Sequence, residues 1–297
     1  MKLSDLSVTH HHYDLPNLRM HTVQKGEGPT VLLLHGFPET WWSWRYQIDP
    51  LVKAGFRVVA PDQRGYGETG KDGPYDLDTL TQDVCHLIEA LGEKARGVRV
   101  VGHDWGGAVA WHLASFRPQY CRRVAIANCP HPAIMRQALL NSLSWEQLKR
   151  SWYMFFFLIP LWPEYALTKN QAARLPRILK ANSVQRAHWT DDDIRPLQDA
   201  LLRPGAARAM IGWYRASVGS GLRRPFSPPR YPKLECETLL LWGRDDPALD
   251  PKILVPGTDA YAPKLAYVEV DEAGHFPHSE RPELVNHHVI QFLNRPN

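Results

Sequence analysis

At 297 residues, 44% of them hydrophobic, and with a formal net charge of +4, the chain has the length and apolar content for one large α/β domain with an insertion. Lysines and arginines are scattered rather than blocked, which argues against a nucleic-acid footprint, and no apolar stretch approaches a membrane span. Met1–Pro16 lacks a signal-peptide core, and Cys85, Cys121, Cys129 and Cys236 lack metal-site spacing, so a cytoplasmic protein with reduced thiols is expected.

Val8–Leu15 and Leu18–Val23 are predicted to pair as strands about a turn at Pro16-Asn17. His10-His11-His12 alternate between strand faces, so the three are not expected to converge on one ion and read as strand surface. Thr30–Leu34 is a continuous apolar run suited to a central parallel strand. It ends in His35-Gly36-Phe37-Pro38-Glu39, where a glycine after a strand lets backbone N–H groups, Phe37 first, face a developing oxyanion. Trp42–Ala54 is predicted helical, Phe56–Ala60 a buried strand and Pro61–Gly67 a loop. Leu77–Leu91 carries helical spacing through Leu80, Val84 and Leu87 and stops at Gly92.

Val98–Val101 runs into Gly102-His103-Asp104-Trp105-Gly106-Gly107 and then an apolar periodic segment towards Phe116, which predicts strand, tight turn and helix. Gly-x-Asp-x-Gly is the nucleophile-elbow pattern with aspartate in place of serine; the plainer alternative makes Asp104 only a helix N-cap. A carboxylate attacking a carbonyl would form a reactive anhydride. Displacement at saturated carbon instead leaves an alkyl ester that water can cleave. The expected substrate therefore carries its leaving group, an epoxide oxygen or a halide, on sp3 carbon. Trp105, directly after the nucleophile, is the second candidate oxyanion donor.

Val124–Ala127 is the next strand. From Pro132 to Arg230 a helical pattern follows, rich in aromatics and broken by prolines, and it reads as a cap (132–230) inserted into a core of 1–131 and 231–297. Its densest apolar part, Ser151–Ile159, follows Lys149 and Arg150 but lacks the length of a span and a one-sided basic face. Thr238–Leu241 resumes the sheet and leads to Gly243-Arg244-Asp245-Asp246, where either aspartate can orient an imidazole. Leu265–Val270 is a further strand, followed by Ala273-Gly274-His275-Phe276 and a closing helix, Leu284–Leu293. Nucleophile, acid and histidine in that order single out His275 as the base. Strands alternating with helices predict a mostly parallel sheet with helices on both faces.

The His35–Glu39 loop, the Asp104 elbow, Gly243–Asp246 and Gly274-His275 together resemble the α/β-hydrolase superfamily and, within it, the epoxide hydrolases, over nearly the whole chain. The resemblance implies Asp246 rather than Asp245 as the acid. It also implies two cap phenols that hold and protonate the epoxide oxygen: Tyr153, in Trp-Tyr-Met-Phe-Phe-Phe, and Tyr214, in Gly212-Trp213-Tyr214-Arg215. A phenol of pKa about 10 stays protonated at neutral pH and can donate to an alkoxide. Leu158 departs from the pattern, standing where relatives often carry glutamine. The implied reaction turns an epoxide and water into a vicinal diol through a hydroxyalkyl ester of Asp104, with no metal or organic cofactor. Trp105, Tyr153 and Tyr214 would contact the substrate, Glu39 would help position the water, and the aromatic cap suggests an apolar or aryl epoxide. A homodimer is compatible with the sequence. The haloalkane dehalogenases share the aspartate and tryptophan, but usually carry asparagine where Phe37 stands and have no use for paired phenols; the fluoroacetate-type dehalogenases resemble His-Asp-Arg, which Trp105 breaks. A non-catalytic binding protein on this fold commonly loses a triad member, and all three are present here.

Overall fold

The computed structural model describes residues 6–140, 145–223 and 230–296. Eight strands, β1 (Thr9–Leu15), β2 (Leu18–Lys25), β3 (Thr30–Leu34), β4 (Arg57–Pro61), β5 (Val98–His103), β6 (Cys121–Ala127), β7 (Glu237–Gly243) and β8 (Leu265–Val270), form one sheet ordered β1-β2-β4-β3-β5-β6-β7-β8. The β1–β2 and β2–β4 pairs are antiparallel and the others parallel. The mostly parallel sheet expected from alternating strands and helices is therefore present. β3, β5 and β6 supply its apolar centre, with Val31–Leu34, Val100 and Val124–Ile126 at 0% exposure. Each Val, Leu or Ile among them contributes roughly 1.5–3 kcal/mol on leaving water. Leu77–Ala90 packs with Trp105–Phe116, and Arg45–Lys53 with Pro282–Leu293, covering the sheet with helices.

Strand order dictates where chemistry can sit. The chain leaves β3 for β4 on one side and returns to β5 on the other, so the C-terminal ends of β3 and β5 border the point where winding direction reverses, the usual site of ligand crevices in such sheets. Those two ends carry His35–Glu39 and Asp104. β5 runs two residues beyond its apolar run because Gly102 and His103 pair with Ile126 and Ala127. The helix expected at Trp42 opens as a 3-10 turn, Trp41–Trp44, in which the Trp42 N–H donates to the Thr40 hydroxyl, and becomes α-helical from Arg45.

Between β6 and β7 the described residues of the insertion are helical or irregular, with helices Pro132–Leu140, Trp145–Arg150, Trp152–Phe156, Trp162–Ala172, Leu175–Ala181, Asp191–Leu202 and Ala206–Arg223. Buried polar bonds fasten it to the helix and loops that flank the sheet. Arg45 Nε donates to Asp193 Oδ1 at 2.8 Å, Trp42 Nε1 to the Asp193 carbonyl at 3.1 Å and Trp213 Nε1 to the Arg64 carbonyl at 3.0 Å. Asp193 also closes a capping box with Thr190, so one carboxylate starts a helix and neutralises a buried guanidinium. Removing either ionic partner alone would strand a buried charge, at about 3–5 kcal/mol.

At the antiparallel edge, the expected alternation holds for His11, while His10 and His12 share a face with His21 of β2. His10 Nδ1 lies 2.9 Å from His21 Nε2, and His21 Nδ1 bonds the buried Asp62 carboxylate at 2.8 Å. All four cysteines are free. No helix among the described residues is long and apolar enough to cross a membrane.

Candidate active site

Asp104 directly follows β5 at φ 48°, ψ −120°, a backbone conformation that costs a non-glycine residue about 1–3 kcal/mol and persists only when its surroundings enforce it. The surroundings are tight. A Cβ on Gly106 would lie 2.1 Å from the Leu34 carbonyl oxygen, and one on Gly36 2.5 Å from Asp104 Cβ, so both positions exclude any side chain. The elbow thereby lifts the carboxylate out of the helix it precedes: Asp104 makes no side-chain cap bond, which removes the plain N-cap interpretation. Its oxygens are instead divided. Phe37 N–H donates to Oδ1 at 2.8 Å, and Oδ2 lies 3.6 Å from His275 Nε2. Trp105 opens the helix, whose first backbone bond is Ala108 N–H to the Asp104 carbonyl, so the Trp105 amide has no intrahelical acceptor.

His275 is buried in the loop after β8, with its backbone N–H on the Asn182 carbonyl at 2.8 Å. Its Nδ1 lies 2.8 Å from Asp246 Oδ2, an arrangement that fixes Nδ1–H as donor and turns Nε2 to Asp104. Burial alone would lower the imidazole pKa, but the Asp246 and Asp104 carboxylates win and hold it well above the usual value. Asp246 is buried as well. Burial pushes its carboxyl up, while His275, the Asn128 amide and the Leu249 N–H outweigh that and hold it low. Asp246 Oδ1 accepts from the amides of Ala248 and Leu249 at 2.8 and 2.9 Å. Asp245, its competitor in the sequence, is exposed. The structure thus brings Asp104, His275 and Asp246 into one chain of contacts.

From the insertion, Tyr214 is buried and Tyr153 half-buried, their rings 6.0 Å apart and nearly perpendicular. Trp105, Phe37 and Phe157 surround Tyr214 at ring separations of 5.0, 5.3 and 4.8 Å. Burial, then the Asp104 charge, raises the pKa of both phenols, so each remains a proton donor across the physiological range. The residues picked out by sequence are thus linked by contact: Asp104 touches the Phe37 N–H and His275, His275 touches Asp246, and Tyr214 packs on Phe37, Trp105 and Tyr153.

Glu39 lies elsewhere. It is fully buried, accepting from Gly36 N–H at 2.9 Å and contacting His103 Nδ1 at 2.7 Å and His278 Nε2 at 3.2 Å. His103 Nε2 in turn donates to the His275 carbonyl at 2.7 Å, so Glu39 reaches the base through His103. Burial opposes ionisation of Glu39, but the two imidazoles dominate and hold it well below the usual carboxylate range; His278, lowered by burial and then by His103, falls to about 4. Glu39, His103 and His278 are the one group among the described residues with donor atoms close enough to hold a metal, yet these atoms already bond one another and are closed off from solvent. Asn128 also escaped the sequence reading. At φ 44° directly after β6, it donates Nδ2–H to Asp246 Oδ2 at 2.7 Å and to the Gly274 carbonyl at 3.2 Å, and accepts from Gly243 N–H at 3.0 Å. A polar residue ending an apolar strand, as Asp104 does after β5, was the available signal.

The sequence model of the family described as "Alpha/beta hydrolase family" matches residues 31–288. The AB hydrolase superfamily protein YfhM of Bacillus subtilis (strain 168) is 38% identical over 282 residues, covering 93% of this chain and 94% of that protein. Epoxide hydrolase 4 of Homo sapiens is 34% identical over 306 residues, covering 98% of this chain and 81% of that protein. Among solved structures, a Bacillus megaterium epoxide hydrolase in complex with an inhibitor superposes with a TM-score of 0.85 at 30% identity, covering 96% of this chain and 100% of that one.

Proposed function

The chain belongs to the α/β hydrolase family and, within it, to the epoxide hydrolases, and on that footing we propose that it hydrolyses an epoxide to a vicinal diol through an ester of Asp104. The observation that carries the reading is the division of labour between the two Asp104 oxygens, one on the Phe37 N–H and the other 3.6 Å from His275. Oδ2 attacks an epoxide carbon, the C–O bond breaks, and the leaving alkoxide takes a proton from Tyr153 or Tyr214. A phenol kept neutral by burial is suited to that transfer. Ester formation also removes the charge of Asp104, one of the two carboxylates that hold His275 protonated. His275 then returns its proton to the tyrosinate through water and becomes a base.

In the second step His275 takes a proton from water, whose oxygen attacks the ester carbonyl. The oxyanion forms on Oδ1, where the Phe37 N–H already sits, with the Trp105 N–H as second donor. Collapse releases the diol, which carries Oδ2 and takes its proton from the newly formed acid, leaving Asp104 ionised and His275 protonated as at the start. Asp246 orients the imidazole throughout. Halide displacement would need neither phenol, which favours an epoxide over a haloalkane.

Residues 132–230 act in this reading as the cap, contributing Tyr153 and Tyr214. The aromatic walls made by Phe37, Trp105 and Phe157 favour an apolar or aryl epoxide. Four free cysteines, three of them buried, suit a reducing compartment such as the cytoplasm. The test is a single turnover of an aryl epoxide with enzyme in excess in 18O-water. The first diol should be unlabelled and the label should enter Asp104. Fully labelled first diol would mean that water opens the ring directly, and the covalent route would be wrong.

A further inference from the structure

Among the described residues, most of the large apolar side chains left bare lie in one stretch of the insertion, residues 145–165. Trp145, Trp152, Phe155, Leu161, Trp162 and Tyr165 all stand between 44% (Phe155) and 78% (Leu161) exposed. With about 150–250 Å² per aromatic side chain, they present on the order of 600 Å² of apolar surface, at the upper end of the roughly 300–600 Å² of the largest patch on a typical monomer. On the helix Trp152–Phe156, Trp152 and Phe155 face out while Tyr153, between them, packs against Tyr214. At Trp152 and Phe155 the bare surface is therefore the outer side of the helix whose inner side carries Tyr153.

Charge narrows what can cover it. Residues 132–230 contain 15 Lys and Arg against 6 Asp and Glu, a net +9, so the rest of the chain carries −5 out of the total of +4. Lys149 lies 5.5 Å from the Trp145 ring centroid and Lys169 5.4 Å from that of Tyr165, bracketing the patch with ammonium groups over aromatic faces. The acidic residues of the stretch are engaged, Glu146 with Lys149 and Glu164 with Arg215. Exposed tryptophan and tyrosine flanked by lysine match the headgroup zone of a bilayer, and the excess positive charge matches anionic lipid. A second copy docked through the same segment would bring two insertions of +9 each together.

We propose that this face of the insertion docks peripherally on an anionic lipid surface through Trp145, Trp152, Leu161 and Trp162, with Lys149 and Lys169 at its rim. The consequence that substrate enters beside Tyr153 from the lipid phase, where an apolar epoxide concentrates, rests on the epoxide-hydrolase reading; the docking itself does not.

The experiment is co-sedimentation of the full chain with sucrose-loaded vesicles, without any epoxide, comparing phosphatidylglycerol–phosphatidylcholine mixtures with pure phosphatidylcholine. Wild type should partition about tenfold or more in favour of the anionic vesicles and lose most of that preference at ~1 M salt. Leu161→Ser with Trp162→Ser should reduce partitioning about tenfold while turnover of a water-soluble epoxide is retained. Lys149→Glu with Lys169→Glu, which leaves the apolar surface intact, should abolish the anionic preference. No partitioning by wild type, or equal partitioning of wild type and both double variants, overturns the proposal. So does dimerisation in sedimentation velocity that the Leu161/Trp162 pair removes with no lipid binding, which would make the patch a self-association face. Loss of epoxide turnover with intact vesicle binding would count against the hydrolase reading alone.

Discussion

Replacing Asn128 by alanine tests whether the alignment of the catalytic acid is built into the end of β6. The side chain is completely buried and makes three bonds: to Asp246 Oδ2 at 2.7 Å, to the Gly274 carbonyl at 3.2 Å and from Gly243 N–H at 3.0 Å. The first is charge-assisted, worth about 1.5–3 kcal/mol, and stranding the Gly243 N–H costs about 1–3 kcal/mol more. Alanine is also less tolerant than asparagine of the φ of 44°. The terms overlap, and Asn128→Ala should lose about 3–5 kcal/mol, near the upper end for a point change. At roughly 2–4 °C per kcal/mol for a chain of this class, Tm should fall by about 6–20 °C. Glycine at the same position relieves the backbone term and should recover about 1 kcal/mol. Asp246 retains the Ala248 and Leu249 amides on Oδ1, so ester hydrolysis in Asn128→Ala should slow by about tenfold rather than cease. Calorimetry and single-turnover rates read the two effects. A Tm within about 2 °C of wild type together with unchanged hydrolysis would refute the assignment of Asn128 as the residue that holds the acid in place.

His275→Gln should separate the two chemical steps: the ester accumulates, and intact-protein mass spectrometry shows the mass of the whole epoxide added, on the peptide containing Asp104. An adduct lacking HX from a haloalkane, with none from epoxides, would favour the dehalogenase alternative. Tyr153→Phe or Tyr214→Phe alone should slow alkylation and leave a residual rate, while the double variant loses a factor of about 10²–10⁴; near-normal alkylation by the double variant would exclude both phenols as acids. Asp104→Asn removes one of the two carboxylates that raise the His275 pKa, so the imidazole should titrate lower by NMR than in wild type. The sign carries over to stability. A folded-state pKa above the ordinary value of about 6.5 contributes stability that is complete below that pH and lost as pH rises through the folded value, so Asp104→Asn should flatten the alkaline decline of Tm.

What could be read from the sequence was whatever leaves a local trace. The elbow was legible because the close approach of Gly106 to Leu34 forbids any side chain, and glycines at fixed offsets record that constraint. Strand positions followed from unbroken apolar runs, since β3 and β5 are buried on both faces. The choice between Asp245 and Asp246 could not be made from their neighbours. It depends on which carboxylate the turn after β7 buries beside a histidine 29 positions later in the chain. Glu39, His103 and His278 come from three separate segments and share nothing that spacing could reveal; only folding stacks them beneath His275. The pairing of His10 and His12 with His21 likewise required the β1–β2 register, which alternation along one strand does not contain.

The bond from His275 N–H to the Asn182 carbonyl bears on how specificity could be re-engineered. A Cβ on Gly274 would lie 2.5 Å from that carbonyl oxygen, so the loop carrying the base is moulded onto the insertion. Glu280, just beyond, accepts from the amides of Val184 and Gln185 at 2.6 and 2.9 Å, and Asp193 pairs with Arg45. Residues 182–193 therefore belong mechanically to the catalytic floor, although the chain reaches them in the middle of the insertion. A chimera exchanging residues 145–181 with a relative would trade the aromatic wall around Tyr153 while the scaffold of the base stays in place. One whose junction falls between Asn182 and Asp193 would transplant part of the hydrolytic machinery along with the pocket.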